Sequence, residues 1–418
     1  MARIKTKYKH YDVLLVGAGL FNAVLAQRLS ENGKRVLVVD RRDHIGGNCY
    51  TRNDNGIEVH QYGAHIFHTS DVEVWDYVNK FVYFKPYINS PIAIASSSMP
   101  STADCPYGSN SGETEHAYNM PFNMNTFARI FASGFTSAYT PDEVTRIIKA
   151  ERKPYLKKTY NNLEERALGT VGPTIYNLLI KGYTEKQWGK PCSELPPEII
   201  GRIPLRMTYD NNYFNDTYQG IPADGSYTKF IEKLFANDQR NEYASMAGGY
   251  VEIKLGVDFN KNIKRLMAKA DHIYYSGAVD ELMNYEFGPL GRRSLRFVEH
   301  KYKTSNSKQG TAVFNYTSHL HSYTRTIEHK FFSPNKNQRG TIVSYEYPVK
   351  WTYSKDPYYP VNNDWNNALH IKYCTAAVKK YGNNIHFVGR LGSYRYMDMD
   401  DTIRAALNVK FPEELECF

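Results

Sequence analysis

Asp12-Val13-Leu14-Leu15-Val16-Gly17-Ala18-Gly19-Leu20-Phe21-Asn22 is the stretch whose reading decides the fold. Its first five residues form a short apolar run, as in a strand buried on both faces. Phe21 to Leu29 then repeats apolar residues at helical spacing, and Asn32-Gly33 stops that helix. Arg35 to Val39 reads as a second buried strand, closed by Asp40. Strand, helix and strand make one βαβ unit. A parallel strand pair needs helices on both faces, so the class is α/β with a Rossmann-like domain. Between the first strand and its helix, Gly17 can make the tight turn. Gly19 lets backbone N–H groups approach a pyrophosphate at the helix N-terminus. Asp40 stands 23 residues after Gly17, where it can accept hydrogen bonds from a ribose. The third glycine of such a fingerprint is Asn22 here, and a structural turn without ligand is the competing reading.

Arg41-Arg42-Asp43-His44-Ile45-Gly46-Gly47-Asn48 narrows the choice of dinucleotide. Two glycines directly after the ribose-binding strand allow a loop to run back beneath the pyrophosphate and add N–H donors. With the first turn, this resembles the FAD-binding fold of amine oxidases and their relatives more than a plain NAD domain.

Composition agrees with an ordinary globular enzyme. The 418 residues are 42% hydrophobic and 23% charged, enough to bury two or three layers. Aromatic residues reach 14%, with 35 Tyr and 20 Phe, and polar-tipped rings suit a pocket for sugar and base. The net charge of +9 comes without a basic helical stripe or an RNA-binding signature, so no nucleic-acid partner is expected. A few arginines facing a small anionic ligand are the alternative. The leader with Arg3, Lys5, Lys7 and Lys9 lacks the apolar segment of a signal peptide, and no stretch is apolar enough to cross a bilayer. Five scattered cysteines without CxxC spacing fit a reduced cytoplasm and no metal site.

Further along, residues 95–116 are rich in Ser, Pro, Gly and Thr and read as a flexible surface loop. Thr140-Pro141-Asp142-Glu143 has the pattern of a helix N-terminus, and helical stretches follow over Leu163–Leu168 and Pro173–Lys181. After about Ile203 the texture changes. Arg206–Tyr209, Ser294–Phe297, Thr311–Phe314 and Thr341–Ser344 suggest an antiparallel sheet. Asn237–Gly249 reads as another loop. Ile385–Arg390 looks like a last buried strand, with a helix from about Asp400.

A series of motifs then resembles the bacterial UDP-galactopyranose mutases. Tyr62-Gly63-Ala64-His65-Ile66-Phe67-His68-Thr69 is similar to that family's histidine loop. Asn89-Ser90-Pro91, Pro121-Phe122-Asn123-Met124-Asn125-Thr126-Phe127 and the run from Lys181 to Gly189 follow in the family's order. So do Arg202-Ile203-Pro204, Asp210–Phe214, Tyr218–Pro222, Tyr323-Thr324-Arg325, Pro357–Val361 and the stretch from Gly389 to Met399.

The resemblance implies interconversion of UDP-galactopyranose and UDP-galactofuranose, for cell-surface polysaccharide. It also implies that FAD is active when reduced, its N5 being the nucleophile for the anomeric carbon. Three parts are implied: a discontinuous FAD domain over 1–85, 223–290 and 380–418, a helical substrate-binding domain over 120–203, and an antiparallel sheet over 86–95, 204–222 and 291–379.

Arg202 and Arg325 match the family's diphosphate-binding arginines, which stay charged and can bind two oxygens at once. Tyr183, Tyr213, Tyr359 and Tyr396 match the tyrosines around the phosphates, and Trp188 the aromatic residue at the uridine end. Asn89 and His68 are implied on the sugar side, and Asp398 as an active-site carboxylate. His65 and Ile66 are implied in the loop against the flavin. Gly17, Gly19, Leu20, Phe21, Asp40, Arg41, Gly46, Gly47, Asn48, Arg390 and Met399 complete the implied FAD set. Family members that accept an N-acetylated sugar carry Arg where His68 stands, so His68 leans toward galactose. NAD(P)H or another reductant is implied. The oligomeric state is not fixed, with a homodimer among the options. Two rivals stand beside this reading: an FAD-dependent oxidoreductase of the amine-oxidase type, and a non-catalytic relative that binds nucleotide sugar.

Overall fold

The computed structural model describes residues 5–97, 114–131, 140–202, 205–236, 249–333 and 339–411, with the side chains of Ser97, Gly201 and Arg202 outside that description. The chain divides into two compact units: 1–87 with 216–292 and 357–418, and 88–215 with 293–356.

Unit 1 is built on the βαβ element expected from the sequence. Strand β1 is Tyr11–Val16, helix α1 is Leu20–Glu31 and strand β2 is Arg35–Val39. Both strands belong to a five-stranded sheet in the order 250–254, β2, β1, 270–275, 385–387, with every pair parallel. The uninterrupted apolar runs follow from burial on both faces. Val13, Leu15, Val36 and Val38 pack with α1 and the helices Tyr227–Phe235 and Met399–Leu407. Leu14, Val16, Leu37 and Val39 enter the opposite layer with Leu266, Tyr373 and Ala377. A three-stranded antiparallel sheet, in the order Phe67–Thr69, Tyr218–Pro222, Phe84–Pro86, completes the unit's strand framework beside the hairpin Thr51–Asp54 and Ile57–His60.

Unit 2 combines helices with a larger sheet. Thr140 caps the helix Pro141–Arg152: its Oγ1 accepts from Glu143 N at 3.3 Å, and the Glu143 carboxylate accepts from Thr140 N at 2.8 Å. The helix Leu163–Ile175 is interrupted at Gly172, whose φ of +81° leaves the helical region just before Pro173. A π-helical stretch, Tyr176–Lys181, then leads into the helix Gly182–Trp188.

Three sequence expectations are corrected here. The strands of this sheet run in the order Arg292–Tyr302, Thr341–Lys350, Arg325–Glu328, Val313–Tyr316, Ile92–Ser97, Thr114–Asn119, and the pairing of Val313–Tyr316 with Ile92–Ser97 is parallel, so the sheet is mixed. The ends of the 95–116 loop are strands, with Ala95 opposite His116 and Ser97 opposite Thr114. Small Ala93 and Ala95 are fully buried, which a count of large apolar residues misses; residues 98–113 lie outside the described set. Arg206–Tyr209 is not a strand. The Arg206 guanidinium donates instead to the carbonyls of Asn212 and Tyr213 and folds the segment into a loop. The expected Asn237–Gly249 loop falls outside the described residues except for Gly249.

Buried charge in unit 2 is satisfied locally. The fully buried Glu328 carboxylate accepts from Gln309 N at 2.7 Å, Lys308 N at 3.0 Å, Ser307 Oγ at 3.1 Å and Thr341 Oγ1 at 2.7 Å. Glu328→Ala strands these donors in an apolar setting and is expected to destabilise the unit by about 3 kcal/mol. Calorimetry of the variant should find a lowered melting transition; a transition within a degree of the parent's would refute this account.

Candidate functional site

In unit 1 the residues expected to meet a dinucleotide converge at the carboxyl ends of the parallel strands. Gly17 has φ +101°, and a Cβ there would lie 2.2 Å from Ser276 Oγ. Gly46 and Gly47 have φ of +91° and +55°. The second loop runs against the first: Gly46 N donates to Ala18 O at 2.7 Å, and a Cβ on Gly47 would come within 3.1 Å of Gly19 Cα. The cradle is therefore backbone throughout, and side chains at these positions would fill it.

Gly19 is the N-cap of α1 and supplies no side chain to its first N–H groups. Leu20 and Phe21, at the start of the helix, are buried in the core beneath the turn. Asp40 is already engaged, with Oδ2 accepting from Ala18 N at 2.7 Å and Oδ1 from Arg42 N at 2.8 Å. Each oxygen keeps further acceptor capacity. Arg41 pairs with Glu281 at 2.8 Å, and Asn48 Oδ1 accepts from Arg42 at 3.2 Å.

Asn22, which stands where the fingerprint has its third glycine, is fully buried and acts as a clasp. Its Nδ2 donates to Val16 O at 3.0 Å, Gly17 O at 2.8 Å and Ser276 Oγ at 3.3 Å. The side chain ties the turn to two neighbouring strands instead of pushing the helix away.

The histidine loop lies in the same unit. His65 N donates to His60 Nδ1 at 3.1 Å, and His65 Nδ1 bonds Gly63 O at 2.7 Å, where Gly63 has φ +109°. Burial lowers the His65 pKa to about 4, against the Gly63 bond and with help from the nearby Arg390 charge. A carbonyl accepts only, so Nδ1 carries the proton and Nε2 is the remaining acceptor. Ile66 is buried between the two histidines' segments, while His68 pairs with Asp216 at 2.9 Å.

Arg390 donates to Tyr358 O at 3.1 Å, with its guanidinium 5.2 Å from the Tyr396 ring centre. Tyr396 stacks on Tyr359 at 6.1 Å. Asp398 is the N-cap of Met399–Leu407: its N–H donates to Asp401 at 3.4 Å and its carbonyl accepts from Thr402 Oγ1 at 2.8 Å. Met399 packs on the core formed around α1.

Unit 2 assembles the other group. Arg325 Nη2 and Nε donate to Tyr183 Oη at 2.9 and 3.2 Å. Glu346, only 1% exposed, faces Arg325 across the strand pair with its Oε2 3.8 Å from Arg325 Nη1. Burial raises the Tyr183 pKa, and the Arg325 charge opposes the shift. Tyr213 N donates to the carbonyl of the buried Asn89 at 2.8 Å, and Trp188 packs half-buried on the helical core. Arg202 closes the 3-10 helix Pro197–Arg202, but its side chain lies outside the described set.

Two residues here escape sequence reasoning. Glu346 is one; Lys186 is the other, its Nζ donating to the carbonyls of Tyr316, His321 and Tyr323 at 2.8, 3.0 and 3.0 Å. That ties the helix carrying Tyr183 and Trp188 to the segment that leads into Arg325. No local pattern in the chain pairs either with Arg325.

The family model of UDP-galactopyranose mutase matches residues 178–396, and that of the NAD(P)-binding Rossmann-like domain matches residues 15–81. A Klebsiella pneumoniae protein named probable UDP-galactopyranose mutase is 37% identical over 95% of this chain and 93% of its own. A dTDP-fucopyranose mutase of Escherichia coli is 34% identical over 94% and 96%. In fold, a crystal structure of reduced UDP-galactopyranose mutase superposes with a TM-score of 0.64 over 95% of this chain and 94% of its own, at 13% identity. The chain belongs to the UDP-galactopyranose mutase family.

Proposed function

We propose that this protein interconverts UDP-galactopyranose and UDP-galactofuranose with FAD as its cofactor, in the cytoplasm, supplying galactofuranose for surface polysaccharide. The observation that carries the reading is the pair of groups just described, each matching one requirement of the reaction. The glycine cradle of unit 1 suits a pyrophosphate approached by backbone N–H groups, with Asp40 beside it for a ribose. Unit 2 offers a guanidinium set by a phenol and a carboxylate, which suits a diphosphate that must leave and return. No helix among the described residues is long and apolar enough to cross a membrane.

When bound and reduced, FAD supplies N5 as the nucleophile for the anomeric carbon. The chain's own residues hold the rest. Gly17, Gly19, Gly46, Gly47 and Asp40 would bind the dinucleotide, with Leu20, Phe21, Arg41, Asn48, Ile66, Arg390 and Met399 around it. Arg325 and Arg202 would hold the diphosphate through departure and return, assisted by Tyr183, Tyr213, Tyr359 and Tyr396. Trp188 would face the base, while Asn89 and His68 face the sugar. Neutral His65 would offer its Nε2 lone pair beside the reacting ring. Asp398, which starts the last helix, would act chiefly by fixing the segment that carries Tyr396 and Met399. Keeping the departing UDP within reach converts its return into an intramolecular step. NAD(P)H is the proposed reductant. The relative named for dTDP-fucopyranose makes the nucleotide and the sugar the points to test.

The protein reduced with dithionite is expected to convert UDP-galactofuranose to UDP-galactopyranose, and the oxidised protein is not. Chromatography of the nucleotide sugars reads this, with dTDP-fucopyranose as the comparison substrate. No conversion with bound, reduced FAD would reject the mutase reading, and preference for the dTDP-sugar would replace its substrate. Arg325→Ala should lower kcat/KM at least 100-fold, on the order of 3 kcal/mol, while leaving the flavin spectrum intact. Loss of bound flavin in that variant would place Arg325 elsewhere.

His65 favours its neutral form in the fold, so its contribution to stability is complete above the ordinary histidine pKa near 6.5 and is lost as pH falls toward about 4. A histidine NMR titration should therefore find the His65 ring neutral at pH 6; a midpoint above 6 would contradict its burial.

A further inference from the structure

In unit 1, His68 lies on the strand Phe67–Thr69, and Asp216 lies just before the partner strand Tyr218–Pro222. The backbone ladder between these strands is complete without their side chains, with Phe67 opposite Gly220, His68 opposite Gln219 and Thr69 opposite Tyr218. Asp216 nonetheless aims its carboxylate at the ring. Oδ2 lies 2.9 Å from His68 Nδ1, and Oδ1 accepts from Ser70 Oγ at 3.3 Å. Ser70 Oγ in turn accepts from Thr217 N at 3.2 Å. The Asp216 carbonyl is held by Gln219 Nε2 at 3.0 Å. The carboxylate is thus oriented by Ser70, and its backbone is held by Gln219.

Asp216 also lines a cleft with Asp71, Asp400, Asp401 and Arg404. The one arginine of that wall is committed to Asp71 at 2.7 Å and to Glu73 at 2.8 Å, which leaves His68 as the cationic-capable partner of Asp216. An ionised carboxylate can only accept, so the bond requires a proton on Nδ1. In the neutral ring, Nε2 is then the acceptor. The hydrogen bond at one nitrogen decides what the other can do.

We propose that Asp216 is a positioning residue for the sugar-transfer reaction, holding His68 in its Nδ1–H form so that Nε2 meets a sugar hydroxyl as an acceptor. This rests on the reading of His68 as facing the sugar. It adds a selection rule: the site favours a sugar with a hydroxyl donor opposite His68, and loses that preference when the tautomer is free to change. In Asp216→Asn the amide can turn its NH2 toward Nδ1, which admits the Nε2–H tautomer.

The experiment uses the full-length flavoprotein labelled with 15N at histidine, and long-range proton–nitrogen correlation to read the His68 tautomer. His68→Gln assigns the signal. The wild type is expected to show Nδ1–H, and Asp216→Asn a shift toward Nε2–H. In the same variant, kcat/KM for UDP-galactofuranose should fall about 10- to 100-fold, with unchanged flavin absorbance. Asp216→Glu should recover part of both signals. Three outcomes overturn the inference: an Nε2–H tautomer in the wild type, a kcat/KM for Asp216→Asn within twofold of the parent, or a loss of turnover with the tautomer unmoved. A wild type that shows Nδ1–H but no reduction-dependent turnover would sink the mutase reading instead, and with it the role claimed for the pair.

Discussion

Close approach of backbone to backbone is the constraint on which unit 1 depends. Gly17, Gly46 and Gly47 adopt positive φ, and the two loops that carry them meet through Gly19 and Gly46 with no side chain between. An L-residue with a side chain would meet both a conformational penalty and a steric one there. The parallel sheet behind the loops supplies the rigidity. Its strands β1 and β2 are apolar on both faces, so one layer cannot shift without disturbing helices on either side. A site that presents N–H groups to an anion needs this kind of support, because unsupported loops would relax to satisfy those groups internally.

How Asn22 serves that constraint could not be read from its position in the chain. The fingerprint's third glycine exists so that helix and strand can pack closely, and an amide there suggests crowding. In the fold, the amide is turned into the sheet, and three acceptors receive it: on β1, in the turn and at Ser276, just after the strand Ala270–Tyr275. One of the three, Ser276, lies 254 residues away in sequence. A single chain carries no signal for that partner. Asn22 also leaves Oδ1 without a hydrogen bond among the described residues, a cost the three donated bonds have to offset.

The legible parts of the fold were those with a strict local period. Buried strands, the helix stop at Asn32-Gly33 and the Thr140 cap follow from a few neighbouring residues. Segments shaped by distant partners were misread. Arg206–Tyr209 alternates like a strand but is bent by a guanidinium seeking carbonyls. Ala95 and His116 read as loop because alanine adds little apolar mass, yet strand pairing needs only that the side chain fit. The site divides the same way. Its candidate residues come from motif resemblance, whereas Glu346 beneath Arg325 and Lys186 behind the Tyr316–Tyr323 turn are defined only by strand register and chain reversal.

Those two residues explain how unit 2 holds a partly buried guanidinium in place. A guanidinium drawn partly out of water is costly unless its N–H groups are occupied and its charge is opposed. Tyr183 occupies two of the N–H groups, and the Glu346 carboxylate opposes the charge from 3.8 Å without a direct hydrogen bond. Two of the guanidinium's five N–H donors are thereby spent on fixing the side chain. Lys186 follows the opposite logic. Its three N–H donors all end on backbone carbonyls, and burial lowers its pKa to about 8. An ammonium so fully consumed has no donor left for a phosphate. Lys186 is therefore a structural tie between backbone segments, whereas Arg325 is held side chain to side chain by Tyr183 and Glu346.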